Sequence, residues 1–150
     1  MGAVAAGAHV YDAVVNGAPA GIELFHGYTY SGHPLAAAAG LATLEVYAEE
    51  ALFARAASLA PYWEDAVHSL KGPPHVIDIR NLGLVGAVEL APREGAPGAR
   101  AAEVFQRCFE KGVLVRYTGE TIALSPPLII DKGQIDEVVE TLSEVIAKVG

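Results

Sequence analysis

The spacing of apolar residues divides the first half of the chain into helical stretches. Residues 1–33 are rich in glycine and alanine, and the apolar run within residues 10–15 predicts one short helix. From Pro34 the pattern is helical to about residue 50, because alanine, leucine and glutamate favour helices and proline suits the first helical position. A further helical stretch covers residues 52–70, in which Pro61 is predicted to introduce a kink or to start a new segment.

After residue 74 the pattern changes, and short runs with alternating apolar positions indicate strands. Strands are predicted at residues 76–79, 85–90, 113–115 and 121–124. Connections at residues 81–83 and 118–120 join them into two hairpins. Between the hairpins, an apolar stripe predicts a helix that ends at Gly112, and a last helix begins at the N-cap Asp131. The order β-β-α-β-β-α predicts an α+β domain with its helices on one face of a sheet.

Composition and charge indicate a folded, acidic protein. The 150 residues are 52% hydrophobic and 19% charged, which is enough apolar content for a core. The net charge of -8 argues against binding to nucleic acid or to an anionic membrane surface. The single cysteine cannot form an internal disulfide, no apolar stretch is long enough to span a membrane, and the first residues do not resemble a signal peptide. These features favour a cytoplasmic setting.

The segment from His26 to Pro34, with the sequence HGYTYSGHP, has the composition of an anion-binding loop. It combines two glycines and several hydroxyl-bearing side chains with a proline at the start of a helix. Backbone N–H groups at a helix N-terminus, together with the hydroxyls of Thr29 and Ser31, can hold a phosphate or a carboxylate. The alternative is an ordinary polar loop that caps a helix.

Arg116 follows the apolar residues 113–115, at the end of a predicted strand. An arginine in that place can point into a cleft and bind a carboxylate through its two-pronged guanidinium group. The alternative is an arginine that is exposed to solvent at a strand end.

Other reactive residue types do not form a recognisable site. No pair among the five histidines has the i, i+4 spacing of a helical metal site, and no second cysteine supports zinc. Cys108 lies on the apolar stripe of a predicted helix, which indicates core packing. The four lysines fall at predicted surface positions: Lys71, Lys111, Lys132 and Lys148. A lysine that forms a Schiff base needs desolvation or a cationic neighbour, and the sequence offers neither at these positions.

Several longer segments occur in an order that points to one enzyme family. They are MGAV at residues 1–4, residues 25–35, APYWE at residues 60–64, the segments IDIRN and GLVGAVEL within residues 77–90, RCFEKG at residues 107–112, and TGETIALSPPL at residues 118–128. In this order they resemble class III pyridoxal-phosphate-dependent aminotransferases, most closely the ω-amino acid:pyruvate (β-alanine:pyruvate) branch. The resemblance covers nearly the whole chain and implies part of an α/β, aspartate-aminotransferase-like enzyme of fold type I.

The resemblance implies roles for three residues. Thr29 matches the threonine that binds the cofactor phosphate of the neighbouring subunit, and Tyr28 matches the residue whose backbone amide assists it. Arg116 matches the arginine that binds the carboxylate of the keto acid or α-amino acid and swings away for amines. The implied cofactor is pyridoxal 5'-phosphate, which shuttles the amino group between substrates.

The resemblance also implies that the Schiff-base lysine is absent. In the family this lysine comes shortly before the segment that MGAV resembles, and most of the large domain precedes it as well. We therefore expect the chain to correspond to the C-terminal portion of a longer enzyme, and to be inactive alone. Residues 1–33 would end the large cofactor-binding domain and carry the phosphate loop, residues 34–71 would form connector helices, and residues 72–150 would form the small domain.

Two other functions stay open on the sequence. The chain could be a standalone α+β interaction or oligomerisation module, or part of another class III enzyme such as a mutase or a decarboxylase. As part of an aminotransferase, its expected partners are a small-molecule amino donor, a keto acid and further copies in a homodimer with a shared active site. If residues 1–70 normally pack on a large domain and a second subunit, their apolar faces would be exposed, which predicts self-association of this chain.

Overall fold

A computed structural model describes residues 2–18, 21 and 27–150 and separates the chain into two compact units, residues 1–50 and 51–150. The first unit contains α1 (Ala8–Asn16) and α2 (Pro34–Glu49). The second unit contains α3 (Leu52–His68), β1 (Val76–Leu82), β2 (Val85–Leu90), α4 (Ala99–Glu110), β3 (Arg116–Thr118), β4 (Thr121–Leu124) and α5 (Lys132–Lys148). The predicted order β-β-α-β-β-α after residue 75 is confirmed.

The second unit is built on an antiparallel sheet of four strands in the order β1-β2-β4-β3. Alternate residues of β2 and β4 are buried beneath the helices. The opposite face carries a row of four residues in register across the strands: Arg80, Ala87, Ala123 and Arg116. Arg116 therefore lies at one end of a row whose centre is formed by two small side chains.

The core lies between this sheet and the helices α3, α4 and α5. Each element contributes side chains with almost no exposed surface: Trp63, Val88, Val104, Ile122, Ile135 and Leu142. Full burial of one such aliphatic side chain stabilises the fold by about 1.5–3 kcal/mol, so these contacts dominate the packing of the second unit. The indole of Trp63 packs directly on Gly86, where an added Cβ atom would lie 3.3 Å from Nε1.

Two predicted details of the strands are wrong. β1 continues through Leu82, which pairs with Val85, so the first hairpin turns at Gly83 and residue 84 instead of residues 81–83. Residues 113–115 lie outside the strands, and β3 begins at Arg116. β4 ends at Leu124, before Ser125 and two prolines, so in the register of β3 with β4 residues 113 and 114 would face positions beyond the end of β4.

The helix ends follow local sequence signals. Asp131 is the N-cap of α5, where its carboxylate accepts the N–H of Gln134 at 2.9 Å and the Gln134 side chain accepts the N–H of Asp131 at 3.1 Å. Gly112 follows α4 with a φ of +87°, a conformation that favours glycine. α3 continues through Pro61 as one helix. The predicted alternative that a new segment starts at this proline is therefore wrong.

In the first unit, α2 buries none of its side chains. Its exposed apolar residues include Leu35, Leu41 and Leu44. The predicted domain boundaries at residues 33 and 71 stay predictions. The apolar side of α3 packs within the second unit. Among the described residues, no helix combines the length and the apolar character needed to cross a bilayer.

Candidate functional site

A cleft of about 670 Å³ opens at the end of the sheet where β4 ends and where β2 and β3 begin. Its walls are mostly apolar and include Trp63, Leu114, Leu124 and Pro126. Arg116 and Ser125 also line this cleft, as its polar members. An apolar cleft with few polar groups is the usual form of a small-molecule site.

Arg116 differs from the other five arginines in the surroundings of its guanidinium group. The other five donate hydrogen bonds to protein oxygens: Arg55 to the Leu128 carbonyl, Arg80 to Asp78 and Glu89, Arg93 and Arg107 to Glu103, and Arg100 to the Ala91 carbonyl. Arg116 is exposed, and its guanidinium makes no hydrogen bond or ion pair with any residue that the structure describes. A cation in this state can bind a carboxylate with two parallel hydrogen bonds without first breaking an ion pair.

The hairpin that presents Arg116 is attached to α4 by two contacts. One carboxylate oxygen of Glu120, in the β3–β4 turn, accepts the backbone N–H of Gly98 at the start of α4. The ring of Tyr117 lies 5.4 Å from the ring of Phe105 on α4, measured between centroids. The sequence places Glu120 in a hairpin connection and in the segment TGETIALSPPL, but it does not indicate the bond to Gly98, which is 22 residues away along the chain.

The phosphate-binding loop predicted in the first unit is described from Gly27 onward, and His26 lies outside the described residues. Tyr28 and Thr29 are neighbours in an exposed turn, in which the Ser31 N–H donates to the Tyr28 carbonyl at 2.9 Å. Tyr30 has a φ of +65°, a left-handed conformation that is uncommon for a residue with a side chain. His33 is the N-cap residue of α2 and makes no side-chain capping bond. The turn thus presents a threonine hydroxyl beside a helix start that no side chain caps.

All four lysines lie in the described part of the chain, at its surface. Lys111 and Lys148 bind the same carboxylate, Glu144, at 2.9 and 2.5 Å. Hydrogen bonds from these two ammonium groups lower the pKa of Glu144 to about 2. Lys132 lies 4.6 Å from the ring centroid of Tyr62, and Lys71 is exposed after the end of α3. None of the four lines the cleft with Arg116.

The remaining reactive residue types have structural surroundings. Cys108 is fully buried in the core, as its helical stripe predicts, and burial raises the pKa of its thiol to about 11. Among the described residues, no three histidine, cysteine or acidic side chains are grouped so that they could hold a metal ion. His68 contacts Asn81 through a hydrogen bond of 2.9 Å between Nε2 and Oδ1.

Comparison with known proteins gives consistent matches along the whole chain. The profile of the aminotransferase class-III family matches residues 1–146. An omega-aminotransferase of Caulobacter vibrioides is 64% identical over 148 residues, which cover 99% of this chain and 34% of that protein. A beta-alanine--pyruvate aminotransferase of Pseudomonas aeruginosa is 40% identical over 148 residues, which cover 97% of this chain and 33% of that protein.

A solved structure agrees with these sequence matches. A thermostable omega transaminase six-fold mutant from Pseudomonas jessenii superposes with a TM-score of 0.78 at 30% sequence identity, covering 94% of this chain and 32% of that one. The chain thus spans about a third of the length of the relatives that it matches. The profile match and the relatives together show that the chain belongs to the class III aminotransferases, a family of pyridoxal-phosphate-dependent enzymes of fold type I.

Proposed function

We propose that this chain forms the carboxylate-binding part of an ω-aminotransferase that transfers an amino group from an ω-amino acid or an amine to pyruvate. The observation that carries the proposal is that Arg116 lines an apolar cleft while its guanidinium has no partner within the described part of the chain. A keto acid carboxylate can accept two parallel hydrogen bonds there, and the apolar walls strengthen them by limiting the access of water. Pyruvate as the acceptor is supported by the names of three relatives, the beta-alanine--pyruvate, omega-amino acid--pyruvate and putrescine--pyruvate aminotransferases.

The first unit has a donor set that suits the phosphate group of pyridoxal phosphate. The Thr29 hydroxyl is exposed and makes no hydrogen bond with any described residue, and the adjacent helix start lacks a side-chain cap. Hydroxyl and backbone N–H donors beside a helix N-terminus are suited to an anion. We propose that Thr29 and the backbone N–H of Tyr28 hold this phosphate for a neighbouring subunit, in a homo-oligomer with shared active sites. When bound, the cofactor supplies an electron sink for the carbon from which a proton is removed.

The lysines of this chain do not suit covalent attachment of the cofactor. Two are paired with Glu144, one lies against an aromatic ring and one is exposed, so none has the desolvated surroundings that an imine-forming amine needs. We propose that the chain alone does not catalyse transamination. In this proposal residues 1–33 form the last part of a large cofactor-binding domain. Residues 34–71 form connector helices, and residues 72–150 form a C-terminal small domain of a longer enzyme.

A chimera tests the role of Arg116. The 150 residues replace the matching segment of the Caulobacter relative, which is 64% identical, and transamination with pyruvate is measured. We expect Arg116→Met to raise the KM for pyruvate about 30- to 150-fold, which corresponds to the loss of about 2–3 kcal/mol of charged hydrogen bonding. Arg80→Met is the matched control, because Arg80 lies in the same row of the sheet but is paired with Asp78 and Glu89. Equal effects of the two substitutions would contradict the proposal.

A second experiment tests the proposed inactivity of the isolated chain. The chain is incubated with pyridoxal phosphate, treated with borohydride, digested and analysed by mass spectrometry. We expect no lysine to carry the reduced cofactor stoichiometrically, and no alanine to form from pyruvate and an amine donor. Stoichiometric labelling of one lysine together with transamination would refute this part of the proposal.

A further inference from the structure

The strand that carries Arg116 has little support from the sheet. β3 has three residues, all exposed, and pairs only with β4 at the edge of the sheet. Three residue pairs hold it, from Arg116 with Ala123 to Thr118 with Thr121. Short, exposed edge strands are segments that open locally. An arginine that binds a carboxylate in one geometry therefore needs further support for its backbone.

Glu120 attaches the turn of this hairpin to the rest of the second unit. Gly119 and Glu120 form the two-residue turn between the paired Thr118 and Thr121. The Glu120 carboxylate accepts the N–H of Gly98, and its backbone carbonyl accepts the N–H of Leu90 at 3.0 Å. The turn is thus connected to α4 through the side chain and to the end of β2 through the main chain. A carboxylate at the positive end of a helix is favourable electrostatically.

The hydrogen bond between Gly98 and Glu120 is surrounded by packed residues and uses one of the two carboxylate oxygens. The Gly119 carbonyl oxygen lies 3.7 Å from the position that a Cβ atom would take on Gly98, and Gly98 itself has a φ of +79°. The second carboxylate oxygen of Glu120, Oε2, is buried and has no hydrogen-bond partner among the described residues. The side chain therefore acts through one oxygen, the one that faces Gly98. Together with the ring contact between Tyr117 and Phe105, this connects β3 to α4 at two points.

We propose that Glu120 is a positioning residue for Arg116: by fixing the β3–β4 turn to the start of α4, it holds the backbone of Arg116 while the guanidinium remains free to move. This inference rests on the proposed carboxylate-binding role of Arg116. Glu120 would then affect the affinity for substrate although it does not contact the substrate. In this proposal the held turn keeps Arg116 in register with Ala123, its partner on β4.

The experiment uses the isotopically labelled 150-residue chain and three variants. Backbone order parameters are measured for residues 116–118, and pyruvate is titrated while the Arg116 Nε resonance is followed. In Glu120→Ala we expect the order parameters to fall from about 0.85 to below about 0.6. If Arg116 is then correctly placed for about a third of the time, the apparent Kd for pyruvate rises about threefold. Glu120→Gln keeps an oxygen that can accept the Gly98 N–H and should retain most of the order.

Asp131→Ala is the matched control, because Asp131 is also an acidic cap that binds a backbone N–H, but at the start of α5. It should lower global stability to a similar degree and leave residues 116–118 and the Arg116 Nε resonance unchanged. Unchanged order in Glu120→Ala, or an equal loss in Asp131→Ala, would overturn the inference. If Glu120→Ala does not fold, Glu120→Asp, which is one methylene shorter, provides the same comparison.

The two proposals fail in different ways in this experiment. Suppose that pyruvate does not shift the Arg116 Nε resonance in the unsubstituted chain, while Glu120→Ala lowers the order parameters of β3. The positioning role of Glu120 is then supported, and the carboxylate role of Arg116 is refuted. If pyruvate binds with the same Kd to both chains and β3 stays ordered, the carboxylate role stands and the positioning role of Glu120 is refuted.

Discussion

The contact between Gly86 and Trp63 gives a quantitative test of the packing that supports the cleft. A methyl group on residue 86 would lie 3.3, 3.4 and 3.6 Å from Nε1, Cζ2 and Cε2 of the indole. Both residues are buried, and Trp63 is only 1% exposed, so neither can move away without disturbing the core. Overpacking of this kind costs about 1–3 kcal/mol. Alanine also reduces the entropy of the unfolded chain, which offsets about 0.4–1 kcal/mol. From the middle of each range, the expected net loss is about 1.3 kcal/mol.

The assay is urea unfolding of the chain followed by far-UV circular dichroism, because Trp63 is the single tryptophan and one variant removes it. Gly86→Ala is compared in the original chain and in Trp63→Phe, whose smaller ring lacks the indole atoms nearest to residue 86. We expect the cost of Gly86→Ala to fall by at least about 1 kcal/mol in the Trp63→Phe background, as a coupling energy between contacting residues. An equal cost in both backgrounds, or no cost in the original chain, would refute the reasoning.

Three further predictions use the core, the charged surface and the first unit. Because burial raises the pKa of Cys108 to about 11, from an ordinary value of 9.0, the thiol should react with a disulfide reagent at pH 8 only as fast as the chain unfolds. Because the pKa of Glu144 is lowered to about 2, its pairing with Lys111 and Lys148 should stabilise the chain above pH 4.5; the difference in Tm from Glu144→Gln should disappear as the pH falls toward 2, and a constant difference would contradict this. Sedimentation velocity should show self-association that Leu41→Glu on α2 weakens, whereas a monomer at high concentration would contradict it.

The helices were predictable because their signals are local. Pro34 at the first position of α2, Asp131 as the N-cap of α5 and Gly112 after α4 each act within a few residues, and all three are found where the sequence places them. The burial of Cys108 followed from the same helical periodicity. By contrast, the limits of β1 and β3 depend on which strand lies alongside, and this is why residues 113–115 were assigned to a strand that begins only at Arg116.

The candidate site could be predicted only in part for the same reason. Arg116 is predictable from its surroundings in sequence and from a family resemblance, but whether any described acidic side chain pairs with its guanidinium depends on the folded arrangement of those side chains. The contribution of Trp63 to the cleft and the bond from Gly98 to Glu120 join residues that are far apart along the chain. No local pattern reports such contacts, so they emerge only once the sheet order is known.

The proposed recognition of a substrate carboxylate by Arg116 is best tested by comparing two acceptors in the chimera with and without Arg116→Met. Pyruvate and acetaldehyde differ by the carboxylate alone, so the ratio of their kcat/KM values isolates its recognition. We expect this ratio to fall about 30- to 150-fold on substitution, with kcat/KM for acetaldehyde nearly unchanged. A constant ratio would show that Arg116 does not recognise the carboxylate, whether the substitution affects both acceptors equally or neither of them.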